Sequence, residues 1–505
     1  MDYIIKYGML IVFFAVMVAV GLYCRKHATD VNGFILGGRS VGPWLTAFAY
    51  GTSYFSAVVF VGYAGQFGWK YGLAATWAGI GNAIIGSLIA WLILGKRTRI
   101  MTQHLRSATM PQFFGERFDS KGLKLASSVI IFIFLIPYTA SLYNGLSRLF
   151  GMAFNIDYSV CVIVMAVLTC VYVIAGGYMA TAINDFIQGI IMIVGIIAVI
   201  VAILNTKGGL FSAISQLSEV SDASVGANAG DFTSIFGPDP INLFGVVLLT
   251  SLGTWGLPQM VQKFYAIKDE KSIVKGTVIS TLFALIVAGG CYFLGGFGRL
   301  FSDRIDISKG YDEIIPTMLE GLPTVLIAVV IILVLSASMS TLSSLVLTSS
   351  STLTLDFLKD SLKIKMSTKK QLWLLKIMIV VFVAISVIIA IVQYNTKVTF
   401  IAQLMGISWG ALAGAFLAPF LYSLYWKRTT KAACWVCFIF SSTVMIMNIF
   451  FGEHFPDNLQ SPINAGAFCM LAGLIIVPIV SLLTKRPDKQ LTENVFECFN
   501  KKEIK

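Results

Sequence analysis

Stretches of about 18 residues or more without a charge recur along nearly the whole chain, each long enough to cross the ~30 Å hydrocarbon core of a bilayer. Among 505 residues, 57% are hydrophobic and only 12% charged, whereas a water-soluble domain carries about a quarter charged residues. Lipid is therefore the solvent, and the runs read as spanning helices of an all-α integral membrane protein. Hydropathy places about thirteen of them, roughly at 4–24, 44–66, 74–95, 123–148, 157–176, 182–204, 240–262, 273–300, 319–352, 373–393, 397–425, 431–451 and 462–484. The first run begins almost at the N-terminus with no basic segment before it, so it reads as a span and not as a cleavable leader.

A net charge of +12 raises the question of nucleic acid, but the basic residues form no single stripe or arm, and nucleic-acid binding is not expected. They fall in alternate connections. Arg25, Lys26 and Arg39 follow the first span, and Lys96, Arg97, Arg99, Arg106, Arg117 and Lys121 the third. Lys263, Lys268, Lys271 and Lys275 are assigned to the connection after the seventh span, Lys359 to Lys370 follow the ninth, Lys427, Arg428 and Lys431 the eleventh, and Lys485 and Arg486 the last. Lys and Arg in short loops stay cytoplasmic. That puts the N-terminus outside and the C-terminus inside a cell (plasma or inner) membrane, with the acidic connections bearing Glu219, Asp222, Asp231 and Asp239, or Glu453 and Asp457, outside.

Eight cysteines lie mostly within apolar runs, where Cys acts as a small hydrophobe. Cys434 and Cys437 make a C-x-x-C without a second pair or a nearby His, so packing is the expected role, not zinc or redox chemistry. No paired carboxylates occur within a span and the three histidines fall in or near loops, which leaves an intramembrane enzyme without support.

Two spans are interrupted by small and polar residues: the second at Ala49-Tyr50-Gly51-Thr52-Ser53-Tyr54-Phe55-Ser56, the seventh at Thr250-Ser251-Leu252-Gly253-Thr254-Trp255-Gly256-Leu257-Pro258-Gln259. Paired interruptions point to a binding site, since unwound backbone offers carbonyls to cations and half-helix N-termini to anions; close helix packing is the alternative. The ninth span concentrates hydroxyls from Ser336 to Ser350, and helical spacing puts Ser340, Thr341 and Ser344 on one face with Ala337. Interhelical hydrogen bonding competes with ion binding as the reason. Asp185 opens the sixth span, where a carboxylate needs either a cationic partner or a capping role.

The stretch Phe34-Ile35-Leu36-Gly37-Gly38-Arg39-Ser40-Val41-Gly42-Pro43, the segments Gly176-Gly177-Tyr178 and Asn184-Asp185-Phe186-Ile187-Gln188, and Ser338-Met339-Ser340-Thr341-Leu342-Ser343 together resemble the sodium:solute symporter family. The resemblance covers nearly the whole chain. It implies a leucine-transporter-like inverted repeat, here 44–205 and 240–426, with 1–43 before it, a connector at 206–239 and two further helices and a tail at 427–505. It implies a sodium site from the carbonyls of Thr52, Phe55 and Ala337 and the hydroxyls of Ser340 and Thr341. Members similar to sialic-acid transporters add a second sodium site, which here maps to Asp185, Ser340, Ser343 and Ser344. Sodium is then the coupling ion, no other cofactor is expected, and the chain works as a monomer.

Solute contacts are expected at the two interruptions, from Tyr54, Ser56, Thr254, Trp255 and Gln259, with Tyr143 and Trp409 in addition. A mixture of aromatic surface and few polar groups suits a small, partly apolar ligand better than a hexose. The resemblance to proline carriers is close in the Gly-Gly-Arg-Ser and ninth-span regions, but Tyr54 and Val58 stand where those carriers have aspartate and tryptophan. The expected solute is an amino acid such as proline, or a small carboxylate (a monocarboxylate or pantothenate). A sugar symporter and a transporter-like sensor are the alternatives.

Overall fold

The computed structural model describes residues 2–154, 156–307, 310–361, 366–396 and 401–500. Long helices account for most of them: α1 (Asp2–Cys24), α2 (Pro43–Tyr54), α3 (Ala64–Tyr71), α4 (Thr76–Ala83), α5 (Lys121–Phe154), α6 (Tyr158–Asn205), α7 (Pro240–Gly256), α8 (Pro258–Ala266), α9 (Glu270–Gly295), α10 (Thr324–Ser351), α11 (Thr368–Thr396), α12 (Ile401–Tyr425), α13 (Lys431–Phe451) and α14 (Pro462–Leu483). Among the described residues, ten helices are long and apolar enough to span, or eleven when the bent pair α7 and α8 counts as one. This differs from the thirteen read from hydropathy because two helical runs, Val58–His104 and Tyr158–Asn205, continue for 47 and 48 residues. Either would measure about 70 Å if straight, more than twice the hydrocarbon thickness.

Each of these runs contains a glycine in a backbone conformation that interrupts it, Gly72 (φ 59°, ψ −140°) and Gly177 (φ 56°, ψ −149°). A side chain at Gly177 would be strained by its torsions, and its Cβ would come 2.7 Å from the Phe34 carbonyl oxygen. Gly177→Ala is therefore expected to cost on the order of 2 kcal/mol or more, read as a lowered melting temperature in detergent and a poorer folding yield.

Burial separates centre from periphery. In α12, 89% of the most apolar stretch is buried inside the protein and in α10 78%, against 28% in α1 and 33% in α13. The exposed faces of the outer helices remain apolar, with Ile11, Leu22, Ile439 and Leu483 all outward, as a lipid-facing surface requires. Cys434 and Cys437 are buried, and the Cys437 thiol donates to the Gly414 carbonyl (3.3 Å), in keeping with packing.

Both interrupted spans are broken as their composition suggests. α2 stops at Tyr54, Phe55 is extended (φ −85°, ψ 115°), and the helix resumes through a π-helical turn, Val58–Tyr63. α7 stops at Gly256, Leu257 is extended (φ −74°, ψ 122°), and Pro258 starts α8 at an angle of 45°. Proline suits a first helical position because its missing N–H has no intrahelical partner there. α10 packs against α2, α6 and α1, which sets its hydroxyl-rich face beside the α2 break.

Candidate functional site

Hydroxyls inside a span ordinarily bond back to a carbonyl one turn earlier in the same helix. Ser343 donates in this way to the Ser340 carbonyl (2.8 Å) and Ser351 to that of Thr348 (3.0 Å). Ser340 and Thr341 reach further. Ser340 Oγ lies 3.1 Å from the carbonyl oxygens of both Thr52 and Ala337. Thr341 Oγ1 lies 3.0 Å from the same two and 3.3 Å from that of Phe55.

The α2 break makes this possible, because it leaves carbonyls at the end of α2 without an amide from the next turn. Five oxygens, three from carbonyls and two from hydroxyls, thus converge among residues that are at most 1% exposed. All five are neutral. Such a set can replace the hydration shell of a monovalent cation by dipoles, each hydroxyl turning its proton away to present a lone pair.

The second group of expected ligands is arranged differently. Asp185 is fully buried in α6, eight residues past Gly177, and neither carboxylate oxygen forms a hydrogen bond, so it caps no helix end. Its neighbour is a lysine. Lys263 Nζ stands 3.9 Å from Asp185 Oδ2 and donates to Ser344 Oγ at 2.9 Å. Ser344 Oγ in turn pairs with Ser53 Oγ at 2.8 Å. Lys263 does not belong to a loop, contrary to the expectation from the charge pattern: it lies within α8, only 2% exposed, because the bend at Leu257 turns that helix back into the bundle.

Where the second span restarts, Ser56 Oγ accepts the Val58 amide (3.2 Å). Tyr138 on α5 sits beside Ser56, and its ring meets that of Trp409 on α12 edge to face at 6.0 Å. The hydroxyls of Tyr63 and Tyr143 and both amide atoms of Gln259 are buried without a hydrogen-bond partner, while the Tyr138 hydroxyl has Ser56 and the Trp409 indole as its polar neighbours. Buried polar groups are normally paired, so groups left without a partner remain available to a polar ligand.

Thr254 and Trp255 face elsewhere: Thr254 Oγ1 bonds to the Gly86 carbonyl (2.9 Å) and Trp255 Nε1 to that of Ile85 (2.9 Å). They fasten the α7 break to the third span. The Tyr54 side chain lies outside the described residues. A cavity of about 620 Å³, lined among others by Gln66, Lys70, Asp239, Asn242, Gln403 and Asn464, opens on the side of the 206–242 segment. Gln66 is one turn above Tyr63 on the same run of helix.

The family model of the sodium:solute symporters matches residues 34–440. The chain belongs to that family. Among relatives, the "Osmoregulated proline transporter OpuE" of Bacillus subtilis (strain 168) is 28% identical over 484 residues, covering 95% of this chain and 94% of that one. A "Sodium/proline symporter" of Staphylococcus aureus (strain JH9) is 30% identical over 506 residues, covering 95% and 93%. A solved Na+-coupled sialic acid symporter, in a substrate-bound outward-open state, superposes with a TM-score of 0.74 at 17% identity, over 96% of this chain and 99% of that one. That likeness establishes the leucine-transporter-like inverted-repeat fold.

As a member of the sodium:solute symporters, the protein is a multi-pass membrane transporter driven by sodium. Two features of its centre escaped the sequence reading. Lys263 could have been found from Asp185, since a carboxylate buried in a span needs a cation. Tyr63 and Tyr138 carry no such signal, because in an apolar run a tyrosine is indistinguishable from a packing residue.

Proposed function

We propose that this symporter imports a small amino acid, with L-proline the leading solute, and that the coupling sodium binds the five oxygens of Thr52, Phe55, Ala337, Ser340 and Thr341. The observation that carries the reading is the convergence of those oxygens across the α2 break and α10. An ion bound there would tie the two elements together and favour the arrangement of α2 in which Ser56 and Tyr138 meet a solute. The likeness to proline carriers over nearly the full length supports the choice of solute. Tyr54 and Val58, which depart from those carriers, favour a small carboxylate as second reading. Both share a carboxylate and a compact apolar body.

A ~10-fold sodium gradient supplies about 1.4 kcal/mol per ion and a ~100 mV potential about 2.3 per charge, enough for one sodium to concentrate solute ~500-fold. The solute is tested by uptake of labelled L-proline, lactate, pantothenate and glucose into transport-deficient cells, in sodium and in choline. Proline uptake that needs sodium supports the reading; uptake of another solute with proline excluded refutes it. Tyr138→Phe and Gln259→Ala are expected to raise the proline KM by about 5- to 30-fold through the loss of one or two hydrogen bonds, measured at saturating sodium.

The N-terminus is placed outside and the C-terminus in the cytoplasm of the cell membrane, following the basic loops. The protein is proposed to work as a monomer. A single cysteine introduced in the 206–239 connector of a cysteine-free variant is expected to react with a membrane-impermeant reagent in intact cells, and one placed after Lys485 only after permeabilisation. The reverse labelling overturns the orientation.

A further inference from the structure

Asp185 and Ser344 are two of the oxygen donors that a second sodium would need, and the structure shows what meets them. Lys263 Nζ donates to Ser344 Oγ at 2.9 Å and stands 3.9 Å from Asp185 Oδ2. The ring of Tyr178 lies 5.2 Å from the ammonium, a cation–π contact that adds to its accommodation. Asp185, Lys263 and Ser344 are 0%, 2% and 3% exposed. Of the other two hydroxyls of the second set, Ser343 donates to the Ser340 carbonyl of its own helix (2.8 Å) and Ser340 is engaged with the Thr52 and Ala337 carbonyls (both 3.1 Å).

We infer that the Lys263 ammonium is a tethered cation in the place of a second sodium, so that this symporter binds one sodium ion per cycle. The ammonium carries the same charge as the ion. It takes the Ser344 lone pair and neutralises the Asp185 carboxylate, the only negative charge of the set. A sodium admitted between the two would face a like charge within a few ångströms in a site closed to water. The bend between α7 and α8 delivers this cation from the protein itself, at no dependence on the external ion. Ser344 also links it to Ser53, next to Thr52 of the five-oxygen cluster. The inference rests on that cluster being the coupling site.

The test counts radioactive sodium bound at saturation by the purified full-length protein, with no solute present. Wild type is expected to bind one ion per chain, and Thr341→Val to weaken that binding by about 10- to 100-fold. Lys263→Ala frees Asp185 and Ser344 and is expected to bind two ions. Its melting temperature should rise with sodium more steeply than with potassium, beyond the response of wild type. Asp185→Asn/Lys263→Ala, with both charges gone, should return to one ion.

Two ions on wild type overturn the inference, as does a folded Lys263→Ala that binds one ion and gains no more stability from sodium than wild type does. If Lys263→Ala does not fold, the wild-type count decides alone. Failure of the coupling-site reading shows separately, as sodium binding that Thr341→Val leaves intact.

Discussion

Thr341→Val is expected to raise the sodium concentration for half-maximal uptake by about 10- to 100-fold, because a ligand to a charged group is worth about 1.5–3 kcal/mol. The valine keeps the shape of threonine nearly unchanged and removes only the hydroxyl that lies within 3.3 Å of three carbonyl oxygens. Solute affinity measured at saturating sodium should change little, since the groups of α5 and α12 proposed to meet the solute are untouched. Thr341→Ser restores the hydroxyl and should restore sodium affinity. Ala337 contributes its carbonyl, so Ala337→Gly is expected to be mild where Thr341→Val is severe. A sodium response of Thr341→Val equal to wild type would remove this hydroxyl from the ion site.

Asp185→Asn is expected to destabilise the folded protein by about 3–5 kcal/mol, since it leaves the Lys263 ammonium buried without its countercharge. Melting in detergent measures this. Replacing both partners, as in Asp185→Asn/Lys263→Met, should recover most of the loss, because an apolar side chain of similar length bears no desolvation cost. Equal stability of the single and double variants would mean that the two charges do not depend on one another in the folded state.

The parts of the fold that were legible in the sequence are those that lipid enforces. Apolar runs must be helical in a bilayer, so Pro462–Leu483 or Glu270–Gly295 could be placed within a few residues. The interruptions at Phe55 and Leu257 were legible because glycine, proline and hydroxyl residues are out of place in an otherwise apolar span. What failed was the treatment of charge as punctuation. Lys263 counted as loop because hydropathy has no means of telling a lysine beyond a helix end from one paired inside the bundle.

The site divides in the same way. The convergence of Ser340 and Thr341 on one helical face follows from spacing alone, but their approach to Thr52 and Phe55 is a tertiary fact that only the family resemblance supplied. Thr254 and Trp255 had the composition of ligand contacts, yet their donors are spent on the carbonyls of Gly86 and Ile85. A polar residue near a break is as useful for fixing the break as for holding a solute, and sequence does not distinguish the two.

The central claim is that sodium at the α2 break drives solute accumulation, and gradient-driven uptake into proteoliposomes tests it most directly. The full-length protein is reconstituted, and labelled L-proline is offered under an inward sodium gradient or an inward potassium gradient of equal size. The account predicts proline above its equilibrium level with sodium only, collapse of the accumulation when a sodium ionophore dissipates the gradient, and neither effect with Thr341→Val at low sodium. Equal accumulation in potassium, or accumulation that survives the ionophore, would contradict it.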